Sequence, residues 1–424
     1  MTDHFEPLDS LELRPPAQRE RELMARLPQL VARAKAASGW ARILAQVNPA
    51  DIDSRAALAT LPVTRKSDLH GLQQQHAPFG GLNTTPVNQL ARIFMSPGPI
   101  FDPEGHGSDW WRFARPLYAT GVRPGGLLQN CFSYHFTPAA FMVEGGAAKI
   151  GCAVIPAGSG QTEMQVQAIS SLRPDTYVGT PSFLKIIIEK AQEMGADISS
   201  LKQAMVGAEA LPETLRQWFV AHGVPRVLQM YASADIGNIA YETCSASERD
   251  PGMLLDEDII LEIVRPGSGD PVAPGEIGEV VVTVFNPDYP LIRFATGDLS
   301  AVMPDAPATA CGRTNTRIRG WLGRADQTTK VRAMFVHPSQ VHAVTRRHPE
   351  IVKARLVVSG QMAQDVMTLQ CEVADPASAA SGSSAAAIVE SIRDLTKLRG
   401  EVAFVAIGSL PNDGKVIADV RDYS

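Results

Sequence analysis

No apolar run in this 424-residue chain approaches the roughly 18 residues a membrane-crossing helix needs, which excludes a helical membrane protein. The opening Met1-Thr2-Asp3-His4-Phe5-Glu6 lacks the basic start and apolar stretch of an export signal, so a cytoplasmic location is the expectation. Cysteine is sparse: Cys131, Cys152, Cys244, Cys311 and Cys371 are scattered, odd in number and contain no CxxC pair. That argues against a disulfide framework or a self-evident zinc site and predicts reduced thiols. Basic excess is also missing. Lys and Arg total 39 against 45 Asp and Glu, a formal charge of −6, so there is no electrostatic footprint for nucleic acid. No GxGxxG opens a helix after an early strand, which disfavours a Rossmann dehydrogenase. The loop Gly158-Ser159-Gly160-Gln161-Thr162 lacks the GK[ST] ending of a phosphate loop and reads as a βα turn. Internal repeats are absent.

The length suits two or three domains, and 45% hydrophobic with 20% charged residues describes a globular chain with a sizeable core. Between about residues 125 and 231, short apolar runs alternate with helical patterns, as in a parallel sheet wrapped by helices. Strands are expected at 127–132, 152–156, 176–179, 204–207 and 227–231, with helices at 181–193 and 212–222, each carrying proline near its first turn. After residue 248, segments 259–264 and 279–284 alternate like antiparallel strands, implying a β-rich subdomain. Beyond residue 323 the pattern predicts a small α+β domain: strands near 328–335, 352–358, 366–373 and 401–407, and helices from 338 and over 386–398. The Ala/Ser-rich stretch 375–385 reads as a flexible connection, and residues 1–80 as helical.

The fold class is therefore α/β, with a parallel core and β-rich subdomain in a large N-terminal domain (1–322) and a small α+β C-terminal domain (323–424). Its most informative residues lie around that boundary. Thr296-Gly297-Asp298 reads as a turn after the strand end Leu291-Ile292-Arg293-Phe294, placing a carboxylate where it can accept two hydrogen bonds from a ribose diol. Gly323-Arg324-Ala325-Asp326 then supplies a planar cationic fork beside a tight turn. The same residues also read as a helix-capping Asp and a surface Arg. The densest basic stretch, residues 313–332, coincides with these loops and suits a phosphate-bearing small molecule. Strands ending at Gly207-Ala208-Glu209 and at Tyr231 would reach one C-terminal sheet edge, where open α/β sheets bind ligands. There Gly207 and Ala208 admit a flat ring and Tyr231 stacks on it; the bland alternative is a core tyrosine. Lys415, in a turn-rich loop, could bring a positive charge to phosphate or carboxylate, or could simply be solvated.

Taken together, Gly207-Ala208-Glu209, Tyr231-Ala232-Ser233-Ala234-Asp235, Thr296-Gly297-Asp298, Cys311-Gly312-Arg313-Thr314, Gly323-Arg324-Ala325-Asp326, Pro338-Ser339-Gln340 and Gly408-Ser409-Leu410-Pro411 with Gly414-Lys415 resemble the adenylate-forming enzymes in sequence order. The resemblance is to the phenylacetate-CoA ligase-like and coenzyme F390 synthetase-like branch. It implies ATP/AMP, magnesium and coenzyme A as cofactors, and a carboxylic acid, bulky or aromatic, as substrate. An acyl-adenylate would form and a thiol would displace AMP. It also implies a hinge at Asp326 and a C-terminal domain that moves between half-reactions; the sequence does not fix the oligomeric state, a homodimer being one option. By resemblance Lys415 bridges carboxylate and α-phosphate, Asp298 and Arg324 hold the ribose, and Asp235 binds magnesium. Tyr134, His135 and Phe136 line the acyl pocket, His135 reading equally as a packed core histidine.

The chain departs from that pattern in one place above all. Where the family has a Ser/Thr/Gly-rich phosphate loop with a lysine, this sequence reads Met95-Ser96-Pro97-Gly98-Pro99-Ile100-Phe101-Asp102-Pro103. Ser96 and Gly98 remain to meet a nucleotide, but two prolines remove amide donors, and Asp102 would repel a polyphosphate. Residues 94–107 as a whole read as a Gly/Pro-rich loop. Tyr231-Ala232-Ser233-Ala234-Asp235 also shortens the metal-binding carboxylate by one methylene. Cys244 and Cys311 survive from a zinc-like cluster, but Leu254 and Thr309 stand at the partner positions, so no zinc is expected. Two functions follow from the sequence: an acyl-CoA synthetase, or a catalytically weakened relative that binds AMP or acyl-CoA as a sensor or partner protein.

Overall fold

The structure, a computed structural model, describes residues 6–245, 248–325, 327, 329–332, 334–336, 338–360, 365–381, 383–411 and 415–421. It divides into two compact units, Met1–Gly323 and Arg324–Ser424. Among the described residues no helix is long and apolar enough to cross a membrane.

An eight-stranded sheet organises the first unit. Its spatial order is Arg317–Ile318, Met253–Leu255, Gly237–Tyr241, Arg226–Ser233, Gln203–Val206, Thr176–Gly179, Leu127–Asn130 and Ala153–Pro156. The last five strands are parallel, and pairing becomes antiparallel beyond Arg226–Ser233. The parallel strands are covered on both faces: every residue of Thr176–Gly179 and Gln203–Val206 is buried. The helix Pro181–Met194 shows how the sequence sets its own limits. Thr180 caps it by accepting from the Phe183 amide at 3.3 Å, proline occupies the first turn, and Gly195 at φ 62° closes it. Leu184, Ile187, Ile188 and Ala191, at helical spacing, form its buried face. Residues 158–161 lie between Ala153–Pro156 and the helix Thr162–Leu172, a βα turn as the sequence indicates.

A second sheet pairs Ile259–Val264 antiparallel with Gly278–Val284, which pairs antiparallel with Leu291–Ser300. The short strand Thr64–Arg65 adds in parallel to Leu291–Ser300. This corrects the reading of Thr296-Gly297-Asp298 as a turn beyond a strand end, because the strand runs through it to Ser300. The register shows how: the step from Glu279 to Val281 faces the longer step from Leu299 to Ala295, a bulge that Gly297 accommodates at φ 76°. Residues 94–107 are corrected likewise. Arg92–Ser96 and Ile100–Glu104 pair antiparallel as a hairpin, with the prolines Pro97 and Pro99 confined to its turn, where no ladder donor is required.

The second unit is a four-stranded sheet ordered Glu401–Ala406, Val366–Val373, Lys353–Ser359, Ile417–Asp419. The central pair is antiparallel and both outer strands join in parallel. It has its own core, including Val344, Leu356, Leu369, Ile388 and Ile392. The stretch read as a flexible connection contains the helix Pro376–Ser381. Asp375 accepts from the Ala377 and Ser378 amides, both at 3.1 Å, and proline follows it, a helix start that the Ala/Ser composition obscured.

Arg293 ties the Asp298 strand to the surrounding chain. Its guanidinium, 3% exposed, pairs with Glu262 at 3.0 Å and donates to the carbonyls of Ala59, Leu61 and Gly269 at 2.6–2.8 Å. Arg293→Met would leave a buried carboxylate and three carbonyls without this partner. It should lower unfolding free energy by about 3–5 kcal/mol in urea denaturation; a loss under about 1 kcal/mol would show that the clamp is dispensable.

Candidate active site

Tyr231 lies on the strand where the first sheet changes from parallel to antiparallel pairing, and its hydroxyl reaches the second sheet. It donates to Asp298 Oδ2 at 2.8 Å and lies 3.2 Å from Thr296 Oγ1. The Trp321 indole N–H donates to Asp298 Oδ1 at 3.1 Å, while the Asp298 amide donates to Thr296 Oγ1 at 3.1 Å. The bulge turns this half-buried carboxylate outward from the sheet, and the two aromatic donors orient it. A carboxylate oriented by a tyrosine and a tryptophan is an acceptor suited to a polar ligand.

At the neighbouring strand end, Gly207 packs so closely on Met230 that a Cβ there would meet its side chain at 2.9 Å. Ala208 follows at φ 66°, exposed, and the Glu209 carbonyl accepts from Gln229 Nε2 at 3.0 Å. Glu209 Oε2 also accepts from the Ser182 amide at 3.3 Å. The structure thus places Gly207, Ala208 and Glu209 beside the strand of Tyr231, which itself reaches Asp298.

A second cluster adjoins the first. Lys66 forms an ion pair with Asp235 Oδ2. Asp235's side chain is fully buried, and its other oxygen has no hydrogen-bond partner. Asp102, 0% exposed, accepts from Ser96 Oγ at 2.8 Å, and its Oδ1 is likewise without a partner. Burial, then the charge of Asp235, push the Asp102 carboxyl well above the usual range. Burial pulls the Lys66 ammonium down, but Asp235 and Asp102 outweigh it and the net shift is upward. The buried Tyr289 hydroxyl, also unpartnered, feels both carboxylates. Ser96 therefore directs its hydroxyl to Asp102, whereas Gly98 is exposed in the hairpin turn.

The resemblance puts magnesium at Asp235. That ion takes six oxygen ligands at about 2.0–2.1 Å and usually keeps several waters. Around Asp235 stand an ammonium and a dry carboxyl pushed toward its neutral form. With Asp235 Oδ2 taken by the Lys66 ammonium and the neighbouring carboxyl pushed toward its neutral form, the residues here do not fit the ion.

The acyl-pocket candidates lie elsewhere on the first unit. Ser133, Tyr134, His135, Gly158 and Ser159 line a cavity of about 330 Å³. Tyr134 donates to Glu144 at 2.7 Å and accepts from Asn130 at 3.0 Å. His135 and Phe136 are exposed, so His135 is not a packed core residue. The Phe136 carbonyl accepts from the Met95 amide at 2.9 Å, tying this loop to the hairpin. Arg324, half-buried, and Lys415, exposed ahead of Ile417–Asp419, belong to the second unit; Asp326 lies outside the described residues.

Residues 118–284 match the family model described as AMP-binding enzyme. A phenylacetate-coenzyme A ligase of Thermus thermophilus is 32% identical over 343 residues, covering 78% of this chain and 76% of the relative. The chain belongs to the phenylacetate-coenzyme A ligase family of adenylate-forming enzymes. Within that family the Escherichia coli phenylacetate-coenzyme A ligase is 30% identical, with 70% of this chain and 68% of the relative covered. The fold matches a solved 2-hydroxyisobutyryl-CoA ligase in complex with 2-HIB-AMP and CoA. That match has a TM-score of 0.82 at 23% identity, over 98% of this chain and 92% of that one.

Lys66, Trp321 and Tyr289 were not apparent from sequence motifs. Lys66 stands 169 residues before Asp235, and nothing local marks the pairing. The Asp102 environment yields a pH prediction. Folded Asp102 keeps a proton that the unfolded chain releases above its ordinary value near 3.8, so rising pH erodes stability from about pH 4 until the folded carboxyl ionises. Asp102→Asn, measured by denaturation across about pH 4 to 7, should gain stability relative to the parent as pH rises. A constant difference would contradict the assignment.

Proposed function

We propose that this protein is an acid–coenzyme A ligase acting on a bulky or aromatic carboxylic acid. A substrate carboxylate oxygen attacks the α-phosphorus of ATP, forming acyl-adenylate and releasing pyrophosphate. The CoA thiol then attacks the acyl carbon, the acyl–oxygen bond breaks, and AMP leaves while the thiol proton passes to solvent. Membership of the family supports the reaction class, and the phenylacetate ligases among its relatives support the acid. The observation that carries the reading is the Tyr231–Asp298 hydrogen bond, which joins two motifs 67 residues apart into one oriented acceptor.

In this reading Asp298 accepts from the ribose hydroxyls, and Tyr231 holds its carboxylate and offers a ring face to adenine beside Gly207 and Ala208. Arg324 adds a fixed cation for the sugar or phosphate, and the second unit, swinging at Asp326, delivers Lys415 to the charge growing at phosphorus. Tyr134, His135 and Phe136 receive the acid. The chemistry proposed for the chain's own residues involves no step through a protein-held metal.

The hairpin at residues 92–104 favours a second reading, a relative that binds AMP or acyl-CoA without turning over. Its turn offers prolines, which lack amide donors, and its inward side chain, Asp102, is a buried carboxyl where a triphosphate would need cations. Calorimetry with ATP, AMP and acyl-CoA separates the two. ATP binding with pyrophosphate release on addition of aryl acids supports the ligase; AMP or acyl-CoA binding without ATP binding supports the second reading. Lys415→Ala should lower acyl-adenylate formation by about 10²–10³-fold. Its AMP affinity should change by less than about threefold, under 1 kcal/mol. Unchanged adenylation in that variant would remove Lys415 from the mechanism.

A further inference from the structure

The Lys66 cluster is assembled by rigid main chain on every side. Lys66 opens the helix Lys66–Gln75 immediately after Thr64–Arg65, whose register on the Asp298 strand sets Thr64 against Phe294 and Arg65 against Ala295. Arg65 is held apart by Glu279 at 2.7 Å, leaving Lys66 as the cation facing Asp235. Asp102 sits opposite Phe94 in the hairpin register, and Phe94 packs against Trp111 and Phe141, which fixes that strand against the core. Gln73, on the Lys66 helix, closes the other side: its amide donates to the Phe101 carbonyl at 2.9 Å and accepts from the Phe101 amide at 2.8 Å. Helix and hairpin are thus pinned together one residue from Asp102.

The Lys66 ammonium already occupies Asp235 Oδ2, and Ser96 Oγ donates to Asp102 Oδ2 at 2.8 Å, so one oxygen of each buried carboxyl is engaged by this chain's own side chains. A divalent cation entering here would have to displace the Lys66 ammonium from Asp235 Oδ2, and Lys66 stands at the start of a helix pinned to the hairpin through Gln73.

We infer that Lys66 is the resident cation of this site, taking at Asp235 the place of a divalent metal. Asp235 is then a positioning residue for Lys66 and not a metal ligand, and nucleotide binding is indifferent to magnesium. The nucleotide part rests on reading the cleft as an adenylate site; the metal part does not.

Mn²⁺, followed by electron paramagnetic resonance on the full chain, is the probe. The parent should show no Mn²⁺ binding that Asp235→Asn removes. Lys66→Met, which leaves two carboxyls without their cation, should gain one Mn²⁺ equivalent, and Lys66→Met combined with Asp235→Asn should lose it. Parent binding abolished by Asp235→Asn overturns the inference, as does a folded Lys66→Met that gains no site. Should Lys66→Met not fold, the parent decides by calorimetry: ATP affinity within about threefold between EDTA and excess Mg²⁺ supports the inference, and about tenfold tighter binding with Mg²⁺ overturns it. If the parent binds neither ATP nor AMP, the ligase reading fails, and the comparison of parent with Asp235→Asn still judges the inference.

Discussion

The pairing of Thr64–Arg65 with the strand Leu291–Ser300 is the constraint from which the first unit's site follows. Two residues of main-chain ladder bring the N-terminal segment to the strand that carries Asp298. Lys66, the next residue, then has no choice but to enter the neighbourhood of Asp235. The same strand is clamped by Arg293 and bulged at residues 296–298, so the carboxylate that meets Tyr231 and the ammonium that meets Asp235 share one rigid reference. Buried ion pairs contribute little net stability when both partners are present, but removing one partner is costly, and this is what makes such an arrangement specific.

Two clusters of opposite character result. Around Asp298 two neutral donors, a phenol and an indole, orient the carboxylate in a half-buried place. Asp235 and Asp102 are buried, one paired with the Lys66 ammonium and the other accepting from the Ser96 hydroxyl, and exchange with solvent ions is opposed by desolvation. The first is built to meet a ligand; the second is built to balance itself.

Much of the fold could be read from the chain because it is locally encoded. The parallel strands around Thr176–Gly179 and Gln203–Val206 are short apolar runs, and the helix Pro181–Met194 carries its own cap, proline and closing glycine. Segments whose pairing partner lies elsewhere were harder. Prolines and glycines at 94–107 signal a loop, yet the flanking residues form a ladder. Thr296-Gly297-Asp298 signals a turn, yet the strand absorbs it as a bulge. In both, hydrogen bonds to a neighbouring strand override a local preference. At 375–385 the local signal was present, an Asp-Pro helix start, but low-complexity composition masked it.

The sequence by itself determined the fold class, the two carboxylates Asp235 and Asp298, and the departure from the family's phosphate loop that carries Asp102, since those depend on residue type, spacing and short-range periodicity. Tertiary structure alone decided what each carboxylate faces. That Asp298 is held by Tyr231 and Trp321, and that Asp235 is neutralised by a lysine 169 residues earlier, are long-range facts. An electrostatic partner is chosen by distance in space and by burial, and neither is written in sequence separation.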